Sequence, residues 1–181
     1  STDTEDHLPF PAMTDGETIK FNAAWIDDQV LSRLNSGATS DAKIGAAMLK
    51  GINYHELAHV LFSPSRVGSP YSEALDAIVT ELPDFRFPEE LWIPANLIED
   101  QRIESLFSAM YTGSKMYFRA SCLNALLHDS SGNGLQPGVS FVFTAGRRYL
   151  HQSIRDAHRA EAVATYGPAL VQQWTEMIDE Y

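Results

Sequence analysis

The stretch Asn53-Tyr54-His55-Glu56-Leu57-Ala58-His59-Val60-Leu61 decides how the rest of the chain is read. It places HExxH inside a long apolar-periodic run, and on a helix residues four apart stand one turn above each other. His55 and His59 therefore present two imidazoles from one face to one point, the arrangement of a zinc clamp. Glu56 projects about 100° round the helix from His55, where it reaches a metal-bound water and not the metal. That is the position of a general base.

The helix is expected to start at Ser40 or Asp41 as N-cap and to end near Phe62, ahead of Ser63-Pro64. Ile44, Met48, Ile52, His55, His59 and Phe62 follow at steps of three or four, so the histidines continue the core-facing stripe. A pair of core histidines bonded to backbone carbonyls is the plainer alternative.

The chain has 181 residues, 44% of them hydrophobic, enough for one domain with a sizeable core. With Cys122 as its single cysteine it has no internal disulfide framework and no cysteine-rich zinc module. His and carboxylate must then hold any zinc. A formal charge of −11, from 13 basic and 24 acidic residues, argues against nucleic acid or an anionic membrane as the main partner. There is no 18-residue apolar run, and Ser1-Thr2-Asp3-Thr4-Glu5-Asp6 is acidic where a signal peptide is basic and then apolar. The expectation is a soluble, cytoplasmic protein, with further domains or a partner protein left open.

Residues 1–13 read as a flexible lead, Thr14-Asp15-Gly16 as a turn, and Glu17-Thr18-Ile19-Lys20-Phe21-Asn22 as a strand. Such a strand serves either as an edge for an extended peptide or as a small cover on the metal helix. Ala23–Leu34 reads as a helix with Trp25, Ile26, Val30, Leu31 and Leu34 on its buried side. Beyond the metal helix, 64–70 reads as a loop, 72–82 as a helix, 83–88 as an irregular link and Leu91–Met110 as a second long helix. A further helix to about Leu127, a flexible loop over 129–134 and helices over 138–154, 156–166 and 168–181 complete a mainly α chain with a small β element.

Catalytic zinc takes three protein ligands and leaves a fourth position to water, so the two histidines need a partner. Phe62 and Ser65 stand where HExxHxxGxxH requires glycine and histidine, which excludes the metzincin pattern. A glutamate from a second helix is the other common solution, and Asn96-Leu97-Ile98-Glu99-Asp100-Gln101-Arg102-Ile103-Glu104 offers one. If Ile103, Leu106, Phe107 and Met110 form the apolar stripe of that helix, Glu99 lies near its centre and Asp100 towards its margin. Glu99 is the expected ligand and Asp100 the alternative; Asp100 or Glu104 then orients a ligand histidine through its second nitrogen. A solvated face with Arg102 paired locally explains the same letters. For the extra donor that a tetrahedral oxyanion needs, Tyr149, His151 and Arg148 are candidates, from the polar cluster Gly146-Arg147-Arg148-Tyr149-Leu150-His151.

Over roughly residues 14–110, the turn and strand, the HELAH helix and the Asn-x-x-Glu-Asp helix resemble gluzincin-type zinc metallopeptidases. They also look like metallopeptidase-like domains of phage and bacterial proteins. The resemblance implies a zincin-like fold, Zn2+ held by His55, His59 and Glu99, and hydrolysis of a peptide or protein substrate with Glu56 as general base. It departs from the thermolysin-like pattern: 39 residues separate His59 from Glu99, and Ile103 stands four residues after Glu99. Two other classes fit the same motifs, a catalytically inactive zinc-binding interaction module and a metal-free helical domain.

Overall fold

A computed structural model describes residues 11–63, 89–127 and 135–180. The expected flexible lead over residues 1–10, the segments 64–70, 72–82 and 83–88, and the loop 129–134 lie outside the described residues.

The chain enters as a β-hairpin. Strands β1 (Ala12–Thr14) and β2 (Ile19–Phe21) pair antiparallel with Ala12 opposite Phe21 and Thr14 opposite Ile19. Asp15 Oδ1 accepts from the backbone N–H groups of Glu17 at 2.9 Å and Thr18 at 2.8 Å, and Gly16 supplies the left-handed φ of 91°. The lead expected to reach residue 13 is thus a strand from Ala12. The tight turn folds it back, so its backbone groups gain partners and Ala12 is buried.

Asn22 caps the next helix, its side chain accepting from Trp25 N at 3.1 Å. That helix runs as α1 (Ala23–Trp25), a π-helical stretch Ile26–Leu31 and α2 (Ser32–Leu34). The wider π turn rotates the apolar stripe. Val30 is fully buried, while Leu31 and Leu34 are turned outward.

The long helix α3 (Thr39–Phe62) begins after Gly37, whose φ is 78°, with Ala38 as N-cap. Ser40 and Asp41, expected as caps, sit inside its first turn, where Asp41 meets the positive end of the helix dipole. Helix α5 (Lys115–Leu127) lies along α3, and a Cβ on Gly51 would overlap Ser121 Oγ and the Tyr117 carbonyl. Helix α4 (Glu89–Met110) crosses between two cores. One holds Ala58, Ile103, Phe107, Phe118, Cys122 and Tyr149; the other holds Phe141, Val142, Ala162 and Val171, with Leu97 and Ile98 against it.

The helix expected over 138–154 is broken. Helix α6 (Pro137–Ala145) stops at Gly146, a turn covers 146–150, and α7 (Gln152–Tyr166) and α8 (Pro168–Glu180) follow. The break follows from contact with α4: Gly146 N donates to the Gln101 side-chain carbonyl, and a Cβ there would collide with it. Among the described residues the result is mainly helical, with one small two-stranded sheet. No helix among the described residues is long and apolar enough to cross a membrane.

Candidate metal centre

His55 and His59 lie on one face of α3, with ring centroids 4.8 Å apart and planes at 84°. Both turn Nε2 towards the same atom, Asp100 Oδ1 of α4, at 3.5 Å from His55 and 3.3 Å from His59. One ligand atom from each of His55, His59 and Asp100 lies within 4.8 Å of the other two. Asp100 Oδ1 is buried and has no hydrogen-bond partner among the described residues, although both imidazoles stand beside it. A buried carboxylate oxygen without a partner is costly.

A cation shared by the three atoms would remove that cost. Donors about 2.1 Å from a tetrahedral zinc are separated by about 3.4 Å, close to the two distances observed. Two imidazoles and a carboxylate are also donors that zinc accepts. On geometry and on chemistry the residues fit the ion.

The other ring nitrogens are also engaged. His55 Nδ1 is 2.9 Å from Glu104 Oε1. His59 Nδ1 is 2.8 Å from Ser63 Oγ, whose hydroxyl donates to Glu99 Oε1 at 2.7 Å. Arg102 then grips Glu99 through Nε and Nη2, both at 2.7 Å. Each imidazole is thereby fixed with Nε2 towards the candidate centre, the arrangement that metal-binding histidines need.

The structure sets Asp100, and not Glu99, beside both imidazoles, while Glu99 reaches His59 through Ser63. The expected stripe counted Leu106 and Met110 as core, yet they are 41% and 63% exposed. The face that α4 buries is Asp100, Gln101, Ile103, Glu104, Phe107 and Ser108, centred roughly 90° further round the helix. Asp100 is near its middle and Glu99 beyond its edge. Glu104 is the carboxylate beside the second nitrogen of His55.

Glu56 is buried on α3, and burial raises its carboxyl above the ordinary value while the charges of His55 and His59 pull the other way. Tyr149 does not face the centre: its hydroxyl donates to Glu104 Oε2 at 2.5 Å and lies 3.0 Å from Cys122 Sγ. His151 is exposed and caps α7, with Nδ1 3.3 Å from Ser153 N. Arg148 pairs with Asp179 at 2.8 Å on the surface. The oxyanion role expected of these three finds no support in their positions, because the turn after Gly146 sends Arg148 and His151 outward and Tyr149 into the core.

The residue that sequence reasoning missed is Arg147. It is buried, and Nε donates to Glu104 Oε2 at 2.9 Å. Burial alone would raise the Glu104 carboxyl, but Arg147 beside it and the bond from His55 hold it down to about 2. The sequence carried no signal for it, because the stripe of Ile103, Leu106, Phe107 and Met110 leaves Glu104 off its face, and only the observed burial of Glu104 calls for a cation. No family model, curated protein or solved structure matches this chain.

Proposed function

We propose that this chain is a zinc-dependent peptidase of zincin-like build, acting on a peptide or protein substrate. The observation that carries this reading is the convergence of His55 Nε2, His59 Nε2 and an Asp100 Oδ1 that accepts no hydrogen bond, beside Glu56. The donor set is two histidines and an aspartate, which differs in its third member from the glutamate that the gluzincin resemblance implies.

Bound there, zinc supplies Lewis-acid polarisation and acidifies water at neutral pH. His55 and His59 would serve as ligands through Nε2, because Glu104 and Ser63 hold their Nδ1 atoms and so fix the ring orientation. Asp100 contributes one carboxylate oxygen. Glu56, with its proton affinity raised by burial, takes a proton from the attacking water and delivers it to the leaving amine nitrogen. Its place directly after His55 lets it face the water without displacing a ligand.

The test combines metal content with cleavage. Purified protein should carry close to one zinc per chain, and it should cleave members of a broad peptide library. Glu56→Gln should retain zinc and fold while losing nearly all cleavage, since an amide cannot accept the proton. A parent that takes up no zinc, or a Glu56→Gln variant within a few-fold of parent activity, overturns the proposal.

A further inference from the structure

Glu104 is satisfied at both oxygens. Oε1 is 2.9 Å from His55 Nδ1 and accepts from Arg147 Nη2 at 3.3 Å, while Oε2 accepts from Arg147 Nε at 2.9 Å and from the Tyr149 hydroxyl at 2.5 Å. The same guanidinium reaches the second carboxylate of the site, with Nη2 3.7 Å from Asp100 Oδ2. It is itself fixed on the far side: Nη1 donates to the Phe143 carbonyl, and the guanidinium carbon lies 4.2 Å from the Phe143 ring centroid. One planar fork thus spans Glu104, which orients His55, and Asp100, whose other oxygen faces both imidazoles.

We infer that Arg147 is the positioning residue of the metal centre, turning Glu104 towards His55 Nδ1 and holding Asp100 Oδ2 so that only Oδ1 is offered to the ion. The inference rests on the zinc-site reading and adds how its geometry is set. Asp100 Oδ2 is drawn to a fixed cation and Oδ1 is left without a hydrogen bond, so Asp100 binds through one oxygen. The guanidinium does this because its donors diverge in a rigid plane, whereas an ammonium is a single compact charge. A residue that only balanced the buried charge of Glu104 would be replaceable by any cation, or dispensable once Glu104 is neutral.

Two variants separate these roles. Arg147→Lys keeps the charge and loses the fork. The pair Arg147→Met with Glu104→Gln removes both charges while leaving an acceptor for His55, so its fold does not depend on a buried ion pair. The probe is Co2+ alone, read by its visible absorption and by chelator competition, with helix content checked by circular dichroism. The parent should bind one cobalt. Both variants should bind about 10–100-fold more weakly, with an altered spectrum, the scale on which such supporting groups act. A folded variant of either kind with parental affinity and spectrum overturns the positioning role while leaving the metal site standing. A parent that binds no cobalt overturns both.

Discussion

His55 Nδ1 and Glu104 Oε1 stand 2.9 Å apart, across 49 positions of sequence, and this contact ties α3 to α4 at the level of the candidate metal centre. Behind it, Glu104 and Arg147 form a buried ion pair at 2.9 Å. Removing one partner of such a pair leaves a buried charge uncompensated, which costs about 3–5 kcal/mol. Glu104→Ala should therefore lower unfolding stability by about that amount in metal-free protein, measured by urea denaturation. Glu104→Gln removes the same charge and should lose nearly as much, although it retains an acceptor for His55. Small losses in both variants would show that the carboxylate is not balancing Arg147.

Gly146 makes a second prediction, about the turn that delivers Arg147. Its amide donates to the Gln101 side chain, which is buried and also donates to Val142 O at 2.5 Å and Leu97 O at 2.9 Å. Gln101 cannot retreat without breaking those bonds. Gly146→Ala should cost about 1–3 kcal/mol through overcrowding alone, since φ here is −83° and strains no residue. A thermal melt of the variant within a degree of the parent would contradict this.

Cys122 offers a test of core packing. Burial pushes its thiol up to about 12, so below that pH it remains a neutral thiol and a poor nucleophile. An exposed thiol gains alkylation rate as pH rises from 7 to 9. In the folded protein iodoacetamide labelling of Cys122 should stay slow across that range and become fast only in denaturant, as followed by mass spectrometry. Rapid labelling of native protein at pH 8 would place the thiol at the surface.

The parts of this picture legible in sequence are those fixed by local spacing. Histidines at i and i+4 must share a helix face, so the paired imidazoles on α3 follow from HExxH itself. The mainly helical architecture follows from apolar periodicity, and the short strand at Ile19–Phe21 from alternation. Contacts between distant segments were not legible. Nothing local distinguishes Arg147 from Arg148, yet one is buried against Glu104 and the other pairs with Asp179 on the surface. Gly146 carries no mark of its role until α4 is seen to press against it. Leu106 and Met110 are apolar by composition and outward by tertiary packing, and counting them as core shifted the reading of α4 from Asp100 to Glu99.

That shift yields the last prediction, which concerns two adjacent carboxylates. Asp100 Oδ1 lies 3.3 Å from His59 Nε2 and 3.5 Å from His55 Nε2, whereas Glu99 reaches His59 through the Ser63 hydroxyl and is clamped by Arg102. Asp100→Ala removes a direct donor and leaves two imidazoles to hold the ion. Glu99→Ala removes a support two bonds away and typically costs about 10–100-fold in affinity or activity. Zinc affinity measured by chelator competition should therefore fall further in Asp100→Ala than in Glu99→Ala. Ser63→Ala should resemble Glu99→Ala, because both break the same chain from His59. If Glu99→Ala proves the more damaging and Ser63→Ala is silent, Glu99 binds the metal directly and the assignment of Asp100 fails.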